Sequence, residues 1–174
     1  DNLVRLSYLA TFNNTSTLSV RYGEVFTKLF FPTDVSFNNK IAIPAGNYWY
    51  NTYGINYKTD FRKDLQAFVS IFSGDYYTGS RFSANTSLTY RLKPYAILSV
   101  NYERNQVNLP EYNSIAYLNL LGVQADVSFS TNLFFNTFIQ YNSQINNINL
   151  NSRIQWRFKP MSDVYLVYSE NYDP

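Results

Sequence analysis

Arg81-Phe82-Ser83-Ala84-Asn85-Thr86-Ser87-Leu88-Thr89-Tyr90-Arg91-Leu92 decides the fold class. Phe82, Ala84, Thr86, Leu88, Tyr90 and Leu92 fall on one side of a period of two, and Arg81, Ser83, Asn85, Ser87, Thr89 and Arg91 on the other. Successive side chains of an extended strand point to opposite faces, so this segment is a strand with one apolar and one polar face. Soluble strands average about five or six residues, whereas a tilted strand needs roughly 9 to 11 to cross a bilayer. The segment meets the second requirement.

The same pattern recurs in both directions from it. Val4 to Phe12 sets Arg5 and Ser7 opposite its apolar side, and Leu18, Val20 and Tyr22 stand opposite Ser19 and Arg21. Trp49, Tyr53, Ile55 and Tyr57 face away from Thr52, Gly54, Asn56 and Lys58. Leu121 to Phe129 alternates with Gln124, Asp126 and Ser128, and Leu150 to Phe158 with Asn151, Arg153, Gln155 and Arg157. Ten strands are expected, over 2–12, 16–30, 47–60, 65–74, 80–92, 96–105, 114–130, 133–143, 148–159 and 164–171. The expected fold is all-β: an antiparallel up-and-down transmembrane β-barrel, with about ten strands of a larger barrel in this chain.

Composition agrees with a chain that meets a different solvent on one side. Aromatics make up 19% of the 174 residues and charged residues only 15%, below the roughly 25% of an average soluble domain. A mean hydropathy of -0.29, with no run of about 18 apolar residues, excludes a bundle of membrane helices. The 45% hydrophobic content argues against disorder. With no Cys and no His there is no thiolate zinc site, no cysteine nucleophile and no imidazole base. A net charge of +2 does not argue for nucleic acid, and none is expected as a partner.

The connections add an orientation. Asn13-Asn14, Phe61-Arg62-Lys63-Asp64, Lys93-Pro94-Tyr95, Thr131-Asn132 and Lys159-Pro160-Met161-Ser162-Asp163 read as short turns. Phe31 to Gly46, Gly74 to Gly79, Arg104 to Asn113 and Asn142 to Asn147 read as longer loops between them. Short periplasmic turns alternating with longer extracellular loops are a property of outer-membrane barrels. On that expectation Asp1 and Pro174 both lie on the outer side. Residues 1–174 are then a single barrel segment, incomplete at both ends, with an odd number of strands before and another after.

Leu133 followed by Phe138-Ile139-Gln140-Tyr141-Asn142-Ser143 resembles a family of Bacteroidota outer-membrane proteins. So do Asn151-Ser152-Arg153-Ile154-Gln155-Trp156, the turn Lys159-Pro160-Met161-Ser162-Asp163, and Val164-Tyr165-Leu166-Val167-Tyr168 with Ser169-Glu170-Asn171. Gly46-Asn47-Tyr48 and Tyr76-Tyr77-Thr78-Gly79 are weaker echoes. In that family a periplasmic domain similar to family-nine carbohydrate-binding modules precedes a C-terminal β-barrel of unknown function. The resemblance implies that such a domain and the first strands lie upstream, with a closing strand downstream. Some members are labelled hydrolases, but no catalytic motif carries over.

The candidate site is the polar side. Arg5, Arg21, Lys58, Arg81, Arg91, Arg153 and Arg157, with Glu103 and Asp126, are expected to face the lumen, because a charge inside lipid costs several kcal/mol. They form either an Arg-carboxylate and amide network that plugs the barrel or a path for an anion. Phe68, Phe72, Phe134 and Phe138 on the same side favour the plug. Phe12, Trp49, Tyr57, Tyr90, Tyr102, Phe129, Tyr141 and Trp156 read as interfacial girdles, with sugar stacking as the alternative. Asp126 and Ser128 share a face but lack an activated base. Glu103, Asn105 and Glu111 match no calcium-loop spacing.

These expectations converge on an outer-membrane barrel, a transport component or a membrane scaffold for a periplasmic glycan-binding domain. Its expected partners are outer-membrane lipid and a glycan or an outer-membrane complex, with no cofactor, no metal and no catalytic residue. A soluble ligand-binding β-barrel and a membrane-associated hydrolase are the alternatives.

Overall fold

The computed structural model describes residues 2–34 and 42–173. Asp1, Pro174 and residues 35–41 of the first long connection lie outside that range. The chain forms β1 (Asn2–Thr11), β2 (Thr17–Leu29), β3 (Thr33–Asp34), β4 (Ala42–Ile43), β5 (Gly46–Lys58) and β6 (Leu65–Tyr76). These are followed by β7 (Gly79–Leu92), β8 (Ala96–Leu109), β9 (Ser114–Ser128), β10 (Leu133–Asn142), β11 (Asn147–Lys159) and β12 (Ser162–Tyr172). Ten of them make one antiparallel sheet in the order β1-β2-β5-β6-β7-β8-β9-β10-β11-β12, so each long strand pairs with the next long strand in sequence. The short β3 and β4 pair only with each other. Among the described residues the sheet is open: β1 pairs only with β2, and β12 only with β11.

Every expected strand is present within a few residues, because the period-two pattern fixes both the strand and its faces. Cross-strand partners share a face, and the register keeps the two sets apart across the sheet. Leu88 pairs with Ala67 and Val100, and Val100 pairs with Val123, on the apolar face. Ser87 pairs with Phe68 and Asn101 on the polar face.

The rows of paired residues slope relative to the turns. Thr11 is the last residue of β1, next to the first turn, and following pairs through Ser87 and Gly122 leads to Asn171. Asn171 lies nine residues beyond the start of β12, at the far end of that strand. The sheet is therefore staggered by about one residue per strand. With a rise of about 3.3 Å per residue and strands about 4.8 Å apart, that stagger tilts the strands by about 35°.

Two expectations about the connections are corrected. Gly74 to Gly79 is not a long loop: β6 and β7 run on to a two-residue turn, Tyr77-Thr78, and Tyr77 takes a positive φ. Likewise β8 continues to Leu109, leaving one turn of 3-10 helix, Pro110–Tyr112, before β9. Only the Phe30 to Ala45 connection is long, so the alternation of short and long loops does not hold. The reason lies on the apolar face. At this end Ser73, Asp75, Ser80, Arg104, Gln106 and Asn108 replace apolar residues, yet their backbones stay paired. At the opposite end the apolar residues continue to the turns, as Ala10, Leu92, Ala96, Leu133 and Val164 show. Polar pattern marked the end of the apolar band, which is not the end of the strands.

The described residues hold one buried hydrophobic cluster, and it is at the extended end. Ile43 of β4 packs with Val107 and Leu109 of β8, flanked by Leu29, Tyr48, Tyr76, Tyr77 and Tyr112. Pro44 O accepts a hydrogen bond from Tyr48 Oη at 2.8 Å, fixing the long connection to β5. Elsewhere many of the large hydrophobic side chains stand in the open; Leu6 is 66% and Leu166 67% exposed.

Candidate functional site

The register places all nine expected residues, Arg5, Arg21, Lys58, Arg81, Arg91, Glu103, Asp126, Arg153 and Arg157, on the polar face. Arg5 heads the row Gly23, Thr52, Gly74, Arg81. Arg21 heads Gly54, Phe72, Ser83, Asn105. Arg91 leads through Ile97 to Asp126, Asn136 and Arg153. Phe68, Phe72, Phe134 and Phe138 lie on the same face.

Beyond sharing a face, these residues form two different environments. On β8 to β12 the charged candidates are held by neighbouring polar groups. Asp126 accepts from Gln124 Nε2 at 2.9 Å and from Asn136 Nδ2 at 2.7 Å, and Asn136 Oδ1 accepts from Arg153 Nη2 at 3.3 Å. The Arg153 guanidinium also lies 5.7 Å from the centre of the Tyr165 ring. Arg157 pairs with Asp163 at 3.1 Å. Near the extended end Asn147 donates to Asn171 and Asp173, and accepts from Asn149 at 2.9 Å. Glu103 accepts from Asn105 Nδ2 at 2.7 Å, and Asn105 Oδ1 accepts from Ser83 Oγ at 2.5 Å. Ser83 Oγ in turn accepts from Arg81 Nε at 3.2 Å.

On β1 to β7 the face is hollow. A cleft of about 500 Å³ opens there, and it is lined from Leu3 and Arg5 on β1 to Arg81 on β7. Two strands four positions apart in the sheet line one cleft, so the sheet curls toward its polar face. Gly23 and Gly54 lie in its floor, and the Arg21 side chain runs over Gly54. A Cβ at Gly74 would sit 2.2 Å from Asn51 O, so this position requires glycine for the close approach of β5 and β6. At the extended end a tyrosine wall rises. Tyr76 and Tyr77 rings are 4.8 Å apart, Tyr50 and Tyr77 5.6 Å, and the Arg81 guanidinium lies 5.6 Å from the Tyr76 ring centre. Burial raises the Tyr77 phenol above its ordinary pKa, and Tyr50, Tyr76 and Tyr48 add to it, so this hydroxyl stays neutral and able to donate. Arg5, Arg21 and Lys58 have no hydrogen-bond or ion-pair partner among the described residues.

No catalytic constellation forms around the remaining candidates. Both oxygens of Asp126 are engaged by amides, and Ser128 makes no hydrogen bond to it. Glu111 lies in the 3-10 turn while Glu103 is held by Asn105. Among the described residues no three of His, Cys, Asp and Glu gather as a metal site. Sequence reasoning missed the tyrosine wall and the glycine floor. The glycines at the polar positions of β2 and β5 were the available signal, since a strand gains nothing from Gly unless something must come close.

No known family, curated protein or solved structure matches the chain.

Proposed function

We propose that this sheet is the greater part of a transmembrane β-barrel of the bacterial outer membrane, with its polar face turned to the interior. One observation carries the reading: ten strands of 10 to 15 residues present a bare apolar face. In water that surface would need a second layer, because apolar area costs about 25 cal/mol per Å² when exposed. In lipid it needs none. The slope of about 35° is within the tilt range of such barrels, and on β7 the apolar run from Phe82 to Leu92 projects to about 27 Å, close to their apolar band. Tyr57, Tyr90, Phe129 and Trp156 at the turn end, with Trp49, Tyr102 and Tyr141 at the extended end, fit girdles at two headgroup layers. Further strands would pair the free edges of β1 and β12, as lipid demands.

Within this reading the barrel is a filled membrane scaffold rather than an open pore. The satisfied network of β8 to β12, the inward phenylalanines and the Ile43 cluster at one mouth support that choice. A glycan-binding periplasmic domain as the scaffolded partner, and membership of the Bacteroidota family, rest on the resemblance alone.

Insertion decides the reading. Leu88→Arg, on the apolar face, is expected to cost about 2 to 4 kcal/mol of folding stability in liposomes, and Ser87→Arg little. Equal sensitivity at the two positions would overturn it. In planar bilayers the filled form passes no steady current, and a large anion-selective current would replace scaffold by transport.

A further inference from the structure

In the cleft of β1 to β7, Arg5 and Arg21 stand beside open volume without a partner among the described residues. Its walls differ in chemistry from those of a pocket for a fatty acid, since Leu3 and Val25 are the only aliphatic side chains lining it. A bare polyanion is equally ill served, because ring faces and phenols make up much of the wall. Aromatic faces pack against the apolar C–H faces of a ring, phenol and threonine hydroxyls exchange hydrogen bonds with ring hydroxyls, and guanidinium groups take an anion. Here those elements stand together: Tyr50, Tyr76 and Tyr77 on one side, Thr27 and Thr52 along the floor, Arg5 and Arg21 opposite. Gly23 and Gly54 add no side chain of their own to the floor, and the volume is within the range of small-molecule sites.

We propose that this cleft binds an acidic saccharide of one or two rings, its sugar ring lying on the tyrosine wall and its anionic group taken by Arg21 and Arg5. Arg81, lying beside Tyr76 and bonded to Ser83, shapes the far wall. The cleft depends on the polar face being wet and not on whether the sheet closes within a membrane. Failure of sugar binding therefore leaves the barrel reading standing, and failure of the insertion test leaves the cleft.

Calorimetry with the protein folded in detergent micelles, or in plain buffer if it proves soluble, tests this with digalacturonate as probe. Saturable binding is expected, weakened at least about tenfold for the neutral digalactoside and for inorganic phosphate. Arg21→Gln and Arg5→Gln should each weaken it by about tenfold, Arg21→Lys should restore part of the loss, and Arg153→Gln should leave it unchanged. A far-ultraviolet β signal equal to that of the parent protein shows that each variant is folded. The absence of saturable binding below about 10 mM would overturn the proposal. So would equal binding of the neutral sugar or of phosphate, insensitivity to both Arg21→Gln and Arg5→Gln, or an equal loss in Arg153→Gln.

Discussion

The two halves of the polar face use the same residue types to opposite effect. On β8 to β12, Asp126, Asn136 and Arg153 sit on adjacent strands of one row, and each finds a partner. On β1 to β7, Arg5 pairs with Gly23 and Arg21 with Gly54, positions that offer no side-chain acceptor. An arginine of this face is held where a neighbouring strand supplies an acceptor, as Asn105 does for Arg81, and stands open where, as at Arg5, the neighbour is glycine.

The largest way to break this contrast is to crowd the backbones of β5 and β6 where they approach each other. Gly74→Ala places a Cβ 2.2 Å from the backbone oxygen of Asn51, which cannot turn aside, and should cost about 3 kcal/mol in urea unfolding. Gly122→Ala in the other half meets the Phe138 ring at 3.3 Å, a side chain able to give way, and should cost less than about 1 kcal/mol. Equal losses would erase the distinction.

Next in size is the removal of one charge from each half. Asp126→Ala strips acceptors from Gln124 and Asn136 and should cost about 1 to 2 kcal/mol in the same unfolding assay. Arg21→Gln, with no partner to orphan, should stay within about 0.5 kcal/mol.

Two turns sharpen the contrast further. Tyr77 and Met161 both take positive φ, 52° and 62°, where glycine is favoured. Met161 is fully exposed, so Met161→Gly should stabilise by about 0.5 to 1 kcal/mol. Tyr77→Gly gains the same backbone relief but loses its ring contacts, and should destabilise by about 1 kcal/mol or more. Thermal unfolding midpoints moving in opposite directions would bear this out.

The smallest effect is at the turn after β5. Asp60 accepts from Arg62 Nε at 3.0 Å, from Arg62 Nη2 at 2.9 Å and from Thr15 Oγ1 at 2.8 Å, tying the first turn to the second. The hydrogen bonds from Arg62 hold its carboxyl well below the ordinary carboxylate range. A depressed carboxyl contributes stability above its unfolded pKa of about 4, and that contribution fades as pH falls toward the folded value. Asp60→Asn should therefore be less stable than the parent at pH 7, with the gap narrowing on acidification. A gap independent of pH would remove the carboxylate from the account.

The strands and the face of every charged candidate were legible because a period of two needs only local sequence. Both errors about the connections have one cause: at Asp75, Ser80, Arg104 and Asn108 the apolar side turned polar while backbone pairing continued. The cleft was hidden for a different reason. Arg5 and Arg81 share a row only through three intervening strands, and no local pattern states which residues those strands bring between them.

The stagger of one residue per strand also sets a size. A ring of ten strands tilted by about 35° measures about 19 Å between opposite backbones, and each added pair widens it by about 4 Å. An arginine reaches about 7 Å from its backbone, so in the narrow ring facing guanidinium groups nearly meet across the axis, whereas in a ring of fourteen about 12 Å of water separates them. Were the sheet to close into a ring, its diameter would govern how strongly Arg5, Arg21 and Arg81 repel one another, and hence how strongly an anion would be drawn between them.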